Sequence, residues 1–307
     1  MKNKVTIIGA GMVGSTTAFG LVAANFTEEI AIIDINNKLL KAQVMDLQQS
    51  VPFWGYTHIK EGNYKDVKDS KVVIITCGSA QKEGETRIDL LSKNAKIVKE
   101  IMPKIFSENP SAIVIIVTNP VDILTNIAIK MFPKKEQQIF GSGTTLDTAR
   151  LRFLLGEKMS VNPKSVHAYI VGEHGDSELV LWSTATVGST ALDLFYKLSQ
   201  KEKQIIFEKA KNSAYAIIAG KQSTYYAIAA ALVKLTKSVL FDKKTVYTVS
   251  HTADGRFGIH NISLSLPAVI GAKGVIKEPH LKITADEKRL LRQSAAVLNK
   301  AEKSLLL

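Results

Sequence analysis

Three short segments hold side chains that could do chemistry together: Gly84-Glu85-Thr86-Arg87, Asp147-Thr148-Ala149-Arg150-Leu151-Arg152 and Gly172-Glu173-His174-Gly175-Asp176. Only six of the 40 basic residues are arginine, at 87, 150, 152, 256, 289 and 292, and three of the six fall in these segments. Lysine is the default surface cation here. Arginine therefore marks places where a planar, permanently charged fork must grip a carboxylate or phosphate with two parallel hydrogen bonds. Glycines around His174 leave backbone room for a ligand, and Asp147 is available to hold the ring. An aspartate on one imidazole nitrogen fixes the tautomer and raises the basicity of the other, which places the group near neutrality for acid–base work. Arg150 follows Asp147 by three residues, so a helix over Leu146 to Leu155 puts both on one face. Cation, carboxylate and imidazole together suggest proton transfer on a small anionic substrate. A core histidine and a purely structural Asp147–Arg150 ion pair are the rival readings.

A second constellation lies at the N-terminus. Gly9-Ala10-Gly11-Met12-Val13-Gly14 follows an apolar strand, Val5–Ile8, and opens a helix. Gly9 permits the tight turn, Gly11 lets the backbone approach a pyrophosphate, and Gly14 lets helix and strand pack closely, while the helix N-terminus supplies amide donors. Asp34 stands about twenty residues further on, at the end of the Ile30–Ile33 strand, where its carboxylate can bind both ribose hydroxyls. That charge repels a 2′-phosphate, and Ile35 rather than arginine follows, so NAD is favoured over NADP. The rival is a glycine turn with Asp34 as a strand-end cap. The polar run Gly78 to Arg87 immediately follows a strand, and reads as a lid at the carboxyl edge of a sheet or as a solvated loop.

The elements that must position these groups are legible in outline. Short β-branched runs recur at Val5–Ile8, Ile30–Ile33, Val72–Thr76 and Ile113–Val117, with helical spacing at Gly14–Asn25, Lys38–Gln48 and Leu90–Phe106. Strands apolar throughout that alternate with helices predict a parallel sheet covered on both faces, a doubly wound α/β pattern. Near Gly141-Ser142-Gly143 the texture changes to longer helical stretches, as in Gln200–Lys237, and to closer strands at His167–Val171, Val246–Ser250 and Gly258–Ser265, as in an antiparallel or mixed sheet. This predicts a dinucleotide-binding Rossmann domain over 1–142 and an α+β substrate domain over 143–307.

Bulk properties exclude several classes. A chain of 307 residues can bury a large core. Its formal charge of +12 invites a nucleic-acid reading, but the lysines are dispersed and no basic patch is interleaved with aromatics, so a solvated lysine-rich face is the better account. Cys77 is the single cysteine, so no internal disulfide forms, which suits a reducing cytoplasm; its apolar neighbours predict a buried strand position. No uninterrupted apolar run is long enough to span a membrane. No metal is expected.

In order along essentially the whole chain, Gly9–Gly14, Asp34, the Gln81–Arg87 loop, Thr118-Asn119-Pro120-Val121-Asp122, Asp147–Arg150 and Gly172–Asp176 resemble the lactate/malate dehydrogenase family, most closely bacterial L-lactate dehydrogenases. The resemblance implies that His174 exchanges a proton with the substrate carbonyl, that Asp147 supports the imidazolium, and that Arg150 clamps the substrate carboxylate. It implies that Arg87 polarises the carbonyl and that Asn119 bonds near the reacting oxygen and nicotinamide. Gln81 matches the selectivity position. Malate dehydrogenases carry arginine there; a neutral residue leaves a second substrate carboxylate unpaired and favours pyruvate and L-lactate. Thr224 resembles a residue facing the substrate side chain, and Ile228 one beside the nicotinamide. Arg152 and His167 match a pair that binds fructose 1,6-bisphosphate across a two-fold interface in activatable relatives, which implies a homotetramer and an allosteric site. A malate or other 2-hydroxyacid dehydrogenase and a non-catalytic NAD sensor remain the alternatives.

Overall fold

A computed structural model of the chain describes residues 3–79 and 87–305, with Arg87 through its backbone alone. The first half alternates strand and helix: β1 (Lys4–Ile8), α1 (Met12–Ala24), β2 (Glu29–Ile33), α2 (Asn37–Ser50), β3 (His58–Glu61), β4 (Val72–Ile75), α3 (Arg87–Glu108), β5 (Ile113–Ile116), α4 (Val121–Met131) and β6 (Ile139–Gly141). The second half opens with α5 (Thr145–Met159) and five short strands, β7 (Val166–His167), β8 (Ile170–Val171), β9 (Leu179–Val180), β10 (Thr186–Val187) and β11 (Thr190–Ala191). Then come α6 (Leu192–Phe195), α7 (Gln200–Lys221), α8 (Tyr226–Leu240), β12 (Thr245–Thr252), β13 (Ser263–Gly271), β14 (Gly274–Lys277) and α9 (Ala285–Lys303).

Strands β3-β2-β1-β4-β5-β6 are parallel neighbours in that order, the arrangement of a doubly wound dinucleotide fold. Successive residues explain why these strands are apolar throughout. Val73 and Ile75 of β4 pack with Val98, Met102 and Ile105 of α3, whereas Val72 and Ile74 pack with Leu21 of α1 and Leu232 and Leu235 of α8. The inner strands β1, β4 and β5 are buried on both faces, so no polar alternation is imposed on them, whereas the edge strand β3 is polar and largely exposed.

The sheet does not stop where the texture of the sequence changes. Strand β12 pairs antiparallel with β6, Ser250 opposite Gly141, and β13 and β14 continue outward to give nine strands. The second half thus extends the first sheet and also carries the two small sheets β11-β10-β7 and β8-β9.

Four local expectations need correction. The stretch Gln200–Lys237 is two helices, because Gln222, two residues after Gly220, takes a left-handed conformation (φ 68°) that ends α7. His167–Val171 is split between two sheets, since β7 pairs with β10 and β8 with β9. The expected strand Gly258–Ser265 starts only at Ser263: Gly255, Phe257, Gly258 and Asn261 all have positive φ and form a turn. Cys77 lies two residues beyond β4 and is half-buried.

The carboxyl ends of β1, β2, β4 and β5 face one crevice, at the point between β1 and β4 where the chain reverses its direction of winding. Two glycines at its base answer different needs. A Cβ on Gly14 would sit 1.9 Å from the Gly9 carbonyl oxygen, whereas one on Gly11 would meet nothing within 4 Å. Gly14→Ala is therefore expected to cost about 1–3 kcal/mol of stability through overpacking, and Gly11→Ala to leave the thermal midpoint within a degree or two. Paired melting curves check both, and equal midpoints would contradict the packing read here.

Candidate active site

The N-terminus of α5 is pressed onto the sheet by small residues and hydroxyls. Gly143 (φ +52°) precedes it, and a Cβ there would lie 2.5 Å from Ser265 Oγ. Thr144 Oγ1 donates to the Ile170 carbonyl (2.6 Å), Thr145 Oγ1 to the Thr248 carbonyl (2.9 Å), and Thr148 Oγ1 accepts from Ile170 N (3.0 Å). This helix is anchored to β8 and β12, so its first two turns place Asp147 and Arg150. Helical spacing puts them on one face, as expected: Arg150 Nη1 donates to Asp147 Oδ1 at 2.8 Å.

The segment carrying His174 is held from three sides. Gly172 (φ +94°) exchanges backbone hydrogen bonds with Ser265 of β13 (2.9 and 2.8 Å), Glu173 N donates to Ser294 Oγ of α9 (2.8 Å), and His174 N donates to Asp122 Oδ2 of α4 (2.7 Å). So fixed, His174 Nδ1 meets Asp147 Oδ2 at 2.6 Å. Nε2 is the nitrogen left to face a substrate. One nearly sealed carboxylate therefore binds both the imidazole and the guanidinium, while the His174 side chain keeps 27% of its surface open.

Electrostatics follow from this sharing. Burial works against a charged His174, but the Asp147 carboxylate outweighs it and the imidazole is pushed up to about 9. Residue types alone predict a group near neutrality; the difference comes from a full carboxylate contact at 2.6 Å with little water to screen it. Burial would raise Asp147, yet His174 and then Arg150 hold it below the ordinary carboxylate range. Asp122 is pushed up to about 6 by burial, against the hydrogen bond from the His174 backbone.

The dinucleotide residues line the mouth of the crevice. Gly9 adopts φ +116° and Gly11 is the N-cap of α1, over open space. Met12 is exposed and Val13 half-buried on the first turn, with Gly14 behind them. Asp34 Oδ2 accepts from Ala10 N (2.7 Å) and Oδ1 from Asn36 N (2.8 Å), which fixes the carboxylate at the end of β2 beside a fully exposed Ile35. A helix N-terminus with free space above it, flanked by that carboxylate, fits a dinucleotide with unphosphorylated ribose.

Asn119 lies exposed past β5, and its carbonyl accepts from Asn94 Nδ2 (2.8 Å). Thr224 is half-buried in the break between α7 and α8, and Ile228 is buried in the core shared with Val13. Gln81 lies outside the described residues, as does the side chain of Arg87. Arg152 Nε donates to the Ala168 carbonyl (3.0 Å) and its guanidinium stacks 4.9 Å from the centre of the Tyr169 ring, next to the exposed His167.

Sequence reasoning missed three groups. Asp122 stood inside a recognised motif without a role. Asn94, buried in α3, also accepts from Ser79 N (2.8 Å) and so ties the ends of β4 and β5 together. Glu178 is buried four residues after His174, and its charge before the apolar run Leu179-Val180-Leu181 was the available signal. Among the remaining arginines, Arg256 pairs with Glu278 and donates to the Pro279 carbonyl (2.6 Å). Arg289 is solvated. Arg292 Nε donates to the Phe257 carbonyl at 2.6 Å and braces the turn before β13.

Comparison with known proteins agrees along the whole chain. Residues 3–141 match the lactate/malate dehydrogenase NAD binding domain, and residues 144–306 the alpha/beta C-terminal domain of the same family. The chain is 42% identical to the L-lactate dehydrogenase of Acetivibrio thermocellus, covering 98% of this chain and 97% of that one. It is 41% identical to that of Thermus aquaticus, with 98% and 99% covered. A crystal structure of a lactate dehydrogenase from a deep-sea metagenome library superposes with a TM-score of 0.95 at 37% identity over 100% of both chains. The minor L-lactate dehydrogenase of Enterococcus mundtii gives 0.95 at 33%, over 99% of this chain and 98% of that one. With a glycine cradle for NAD at one end of the crevice and a histidine–aspartate–arginine cluster at the other, the chain belongs to the lactate/malate dehydrogenase family and is an NAD-dependent dehydrogenase.

Proposed function

We propose that the protein interconverts pyruvate and L-lactate. The observation that carries this reading is Asp147, one carboxylate that holds an imidazole at 2.6 Å and a guanidinium at 2.8 Å. A proton donor and an anion clamp are thereby kept at fixed separation, which suits a small 2-oxoacid with its carbonyl next to its carboxylate. Gly9, Gly11, Gly14 and Asp34 would hold NAD, whose nicotinamide would supply or accept the hydride. His174 Nε2 gives its proton to the carbonyl oxygen as charge develops there, and Asp147 steadies the ring before and after. Arg150 turns a second pair of donors to the substrate carboxylate, and the Arg87 loop supplies a further cation to the developing oxyanion. Asn119 bonds near the same oxygen, Thr224 borders the substrate side chain and Ile228 backs the nicotinamide face.

Neutral Gln81 sets the substrate as pyruvate rather than oxaloacetate, since a second carboxylate enclosed beside it would lack a partner. NADH oxidation with each acid is expected to favour pyruvate, and Gln81→Arg to move the ratio of specificities toward oxaloacetate by roughly ten- to a hundredfold, about 1.4–3 kcal/mol. Preference of the parent enzyme for oxaloacetate would overturn the substrate while leaving the chemistry in place. Absence of turnover with either would favour a sensor that binds NAD without reaction.

The sign of the pH dependence comes from His174. Reduction of pyruvate needs the imidazolium and is expected to fall as pH rises through about 9, whereas oxidation of lactate needs the neutral ring and rises over the same range. Asp147→Asn removes the charge that raises His174 and moves both limbs to lower pH; His174→Ala costs roughly 10²–10⁴-fold in kcat. Initial rates from pH 6 to 10 decide this, and an unshifted limb in Asp147→Asn would contradict the assignment.

Assembly and regulation belong to the same reading. Phe19 and Trp54 stack edge to face at 6.3 Å on an exposed face that also includes Tyr226, apolar surface that a second copy of the chain would cover. Arg152 and His167 from two subunits would present four cations to the two phosphates of fructose 1,6-bisphosphate, in a homotetramer. No helix among the described residues is long and apolar enough to cross a membrane. The chain's single cysteine leaves no internal disulfide, which suits a cytoplasmic enzyme. The bisphosphate is expected to steepen pyruvate saturation at low substrate and to raise the sedimenting mass, effects lost in Arg152→Gln. An unchanged saturation curve and mass at several pH values would dispose of the effector site.

A further inference from the structure

Glu178 is a buried acid aimed into the reaction centre, and neither proton transfer nor carboxylate binding as derived for His174 and Arg150 has a use for it. It is 6% exposed, and its Oε1 has no hydrogen-bond partner among the described residues. One ligand atom from each of Asp147, His174 and Glu178 lies within 4.8 Å of the others. A buried carboxylate without a donor is costly, and Asp147 beside it is already ionised, so two negative charges would share one nearly dry corner.

The balance of charge in this corner depends on Glu178. With Glu178 neutral, the Arg150 guanidinium and the His174 imidazolium against Asp147 leave one net positive charge, which one substrate carboxylate cancels. With Glu178 ionised the same groups sum to zero, and an incoming anion leaves this corner net negative before the Arg87 cation, assigned above to the carbonyl oxygen rather than to the carboxylate, is counted. The surroundings do not repair this. Asp122 beside His174, and Glu173 beside Asp122, add further negative charge, and the positive charge on Glu178's other side is Lys211 of α7, whose ammonium is committed to the Asp176 carbonyl at 2.7 Å.

We propose that Glu178 is a proton-coupled positioning residue: it must carry a proton for the substrate carboxylate to bind at Arg150, so closing the site on a 2-oxoacid takes up a proton separate from the one His174 delivers. The proposal rests on the 2-oxoacid reading of the site. Burial, and then the Asp147 carboxylate, push the Glu178 carboxyl up to about 8, so the acid is protonated below that pH and is lost to binding above it. His174 is lost near 9. Two protons thus leave on the alkaline side.

The test is the alkaline limb of log kcat/KM for pyruvate in the parent enzyme, E178Q and E178D, each normalised to its own value at pH 7. The expected slope between pH 9 and 10 is steeper than about −1.5 for the parent and E178D and no steeper than about −1 for E178Q, so that E178Q retains roughly tenfold more of its activity at pH 9. A slope near −1 in the parent, or the same steep slope in E178Q, overturns the proposal; so does a variant that is slower at every pH with its slope unchanged, the mark of a merely structural residue. Should E178Q fold poorly, the parent decides alone. Binding of oxamate, in which an amide replaces the methyl of pyruvate, to the enzyme–NADH complex at pH 9.5 is expected to take up more than about 1.5 protons per site by indicator dye, and one or fewer overturns the proposal. Absence of any turnover with pyruvate overturns the 2-oxoacid reading and this proposal with it, whereas turnover with a single-proton limb overturns this proposal alone.

Discussion

A carboxylate sealed from water must find its counter-charges nearby, and at Asp147 both lie within hydrogen-bond distance. With Asp147 only 3% exposed at its side chain, the cost of leaving one partner out is several kcal/mol. That requirement fixes the relation between two parts of the chain with no other reason to be in register: the first turn of α5, and a glycine-bracketed loop 27 residues later. The hydroxyls of Thr144, Thr145 and Thr148 and the backbone tether from Asp122 to His174 restrain each part separately, so that little freedom remains when the pair closes. Precision here is built from short polar side chains on rigid elements.

The unbroken sheet makes this possible. Because β12 and β13 continue the parallel sheet past β6, Ser265 can bond the Gly172 backbone while its hydroxyl, 3.3 Å from Asp122 Oδ1, lies at the same junction where α4 meets the His174 loop. Cofactor cradle and acid–base pair therefore hang from one framework. A hinge between two independently folded lobes would need a closing motion to align them; here their backbone positions are set by strand register.

Much of this was legible because it is local. The glycine cradle declares itself through spacing, and the doubly wound strands through apolar runs that only double burial permits. Asp147 and Arg150 could be placed on one face by helical arithmetic alone. What was not legible depends on contacts remote in sequence: the continuation of the sheet through Ser250 and Gly141, and the pairing of Asp122 with a backbone amide 52 residues away. The His174 basicity was misjudged for the same reason, since residue types identify the partner but not how completely water is excluded from it. Glu178 went unnoticed because a single acid before an apolar run looks like the edge of a strand until burial is known.

Arg150 and Arg152 show how one helix can serve two ends. Two residues apart, they project about 200° from one another around α5, one to Asp147 and the other to the Ala168 carbonyl and the Tyr169 ring. A ligand gripped by Arg152 can influence substrate at Arg150 only if it binds one position of this helix better than another, because equal affinity for two states shifts neither. The helix is bound through Thr144, Thr145 and Thr148 to β8 and β12, so bending is resisted and displacement as a rod against those strands is the available movement. Any such displacement must carry Asp147 with it. The distance from Asp147 to His174, at 2.6 Å already as short as a strong hydrogen bond allows, is then the quantity that an effector would have to lengthen or restore. Regulation at this site, on that reasoning, would appear in the basicity of His174 as much as in substrate affinity.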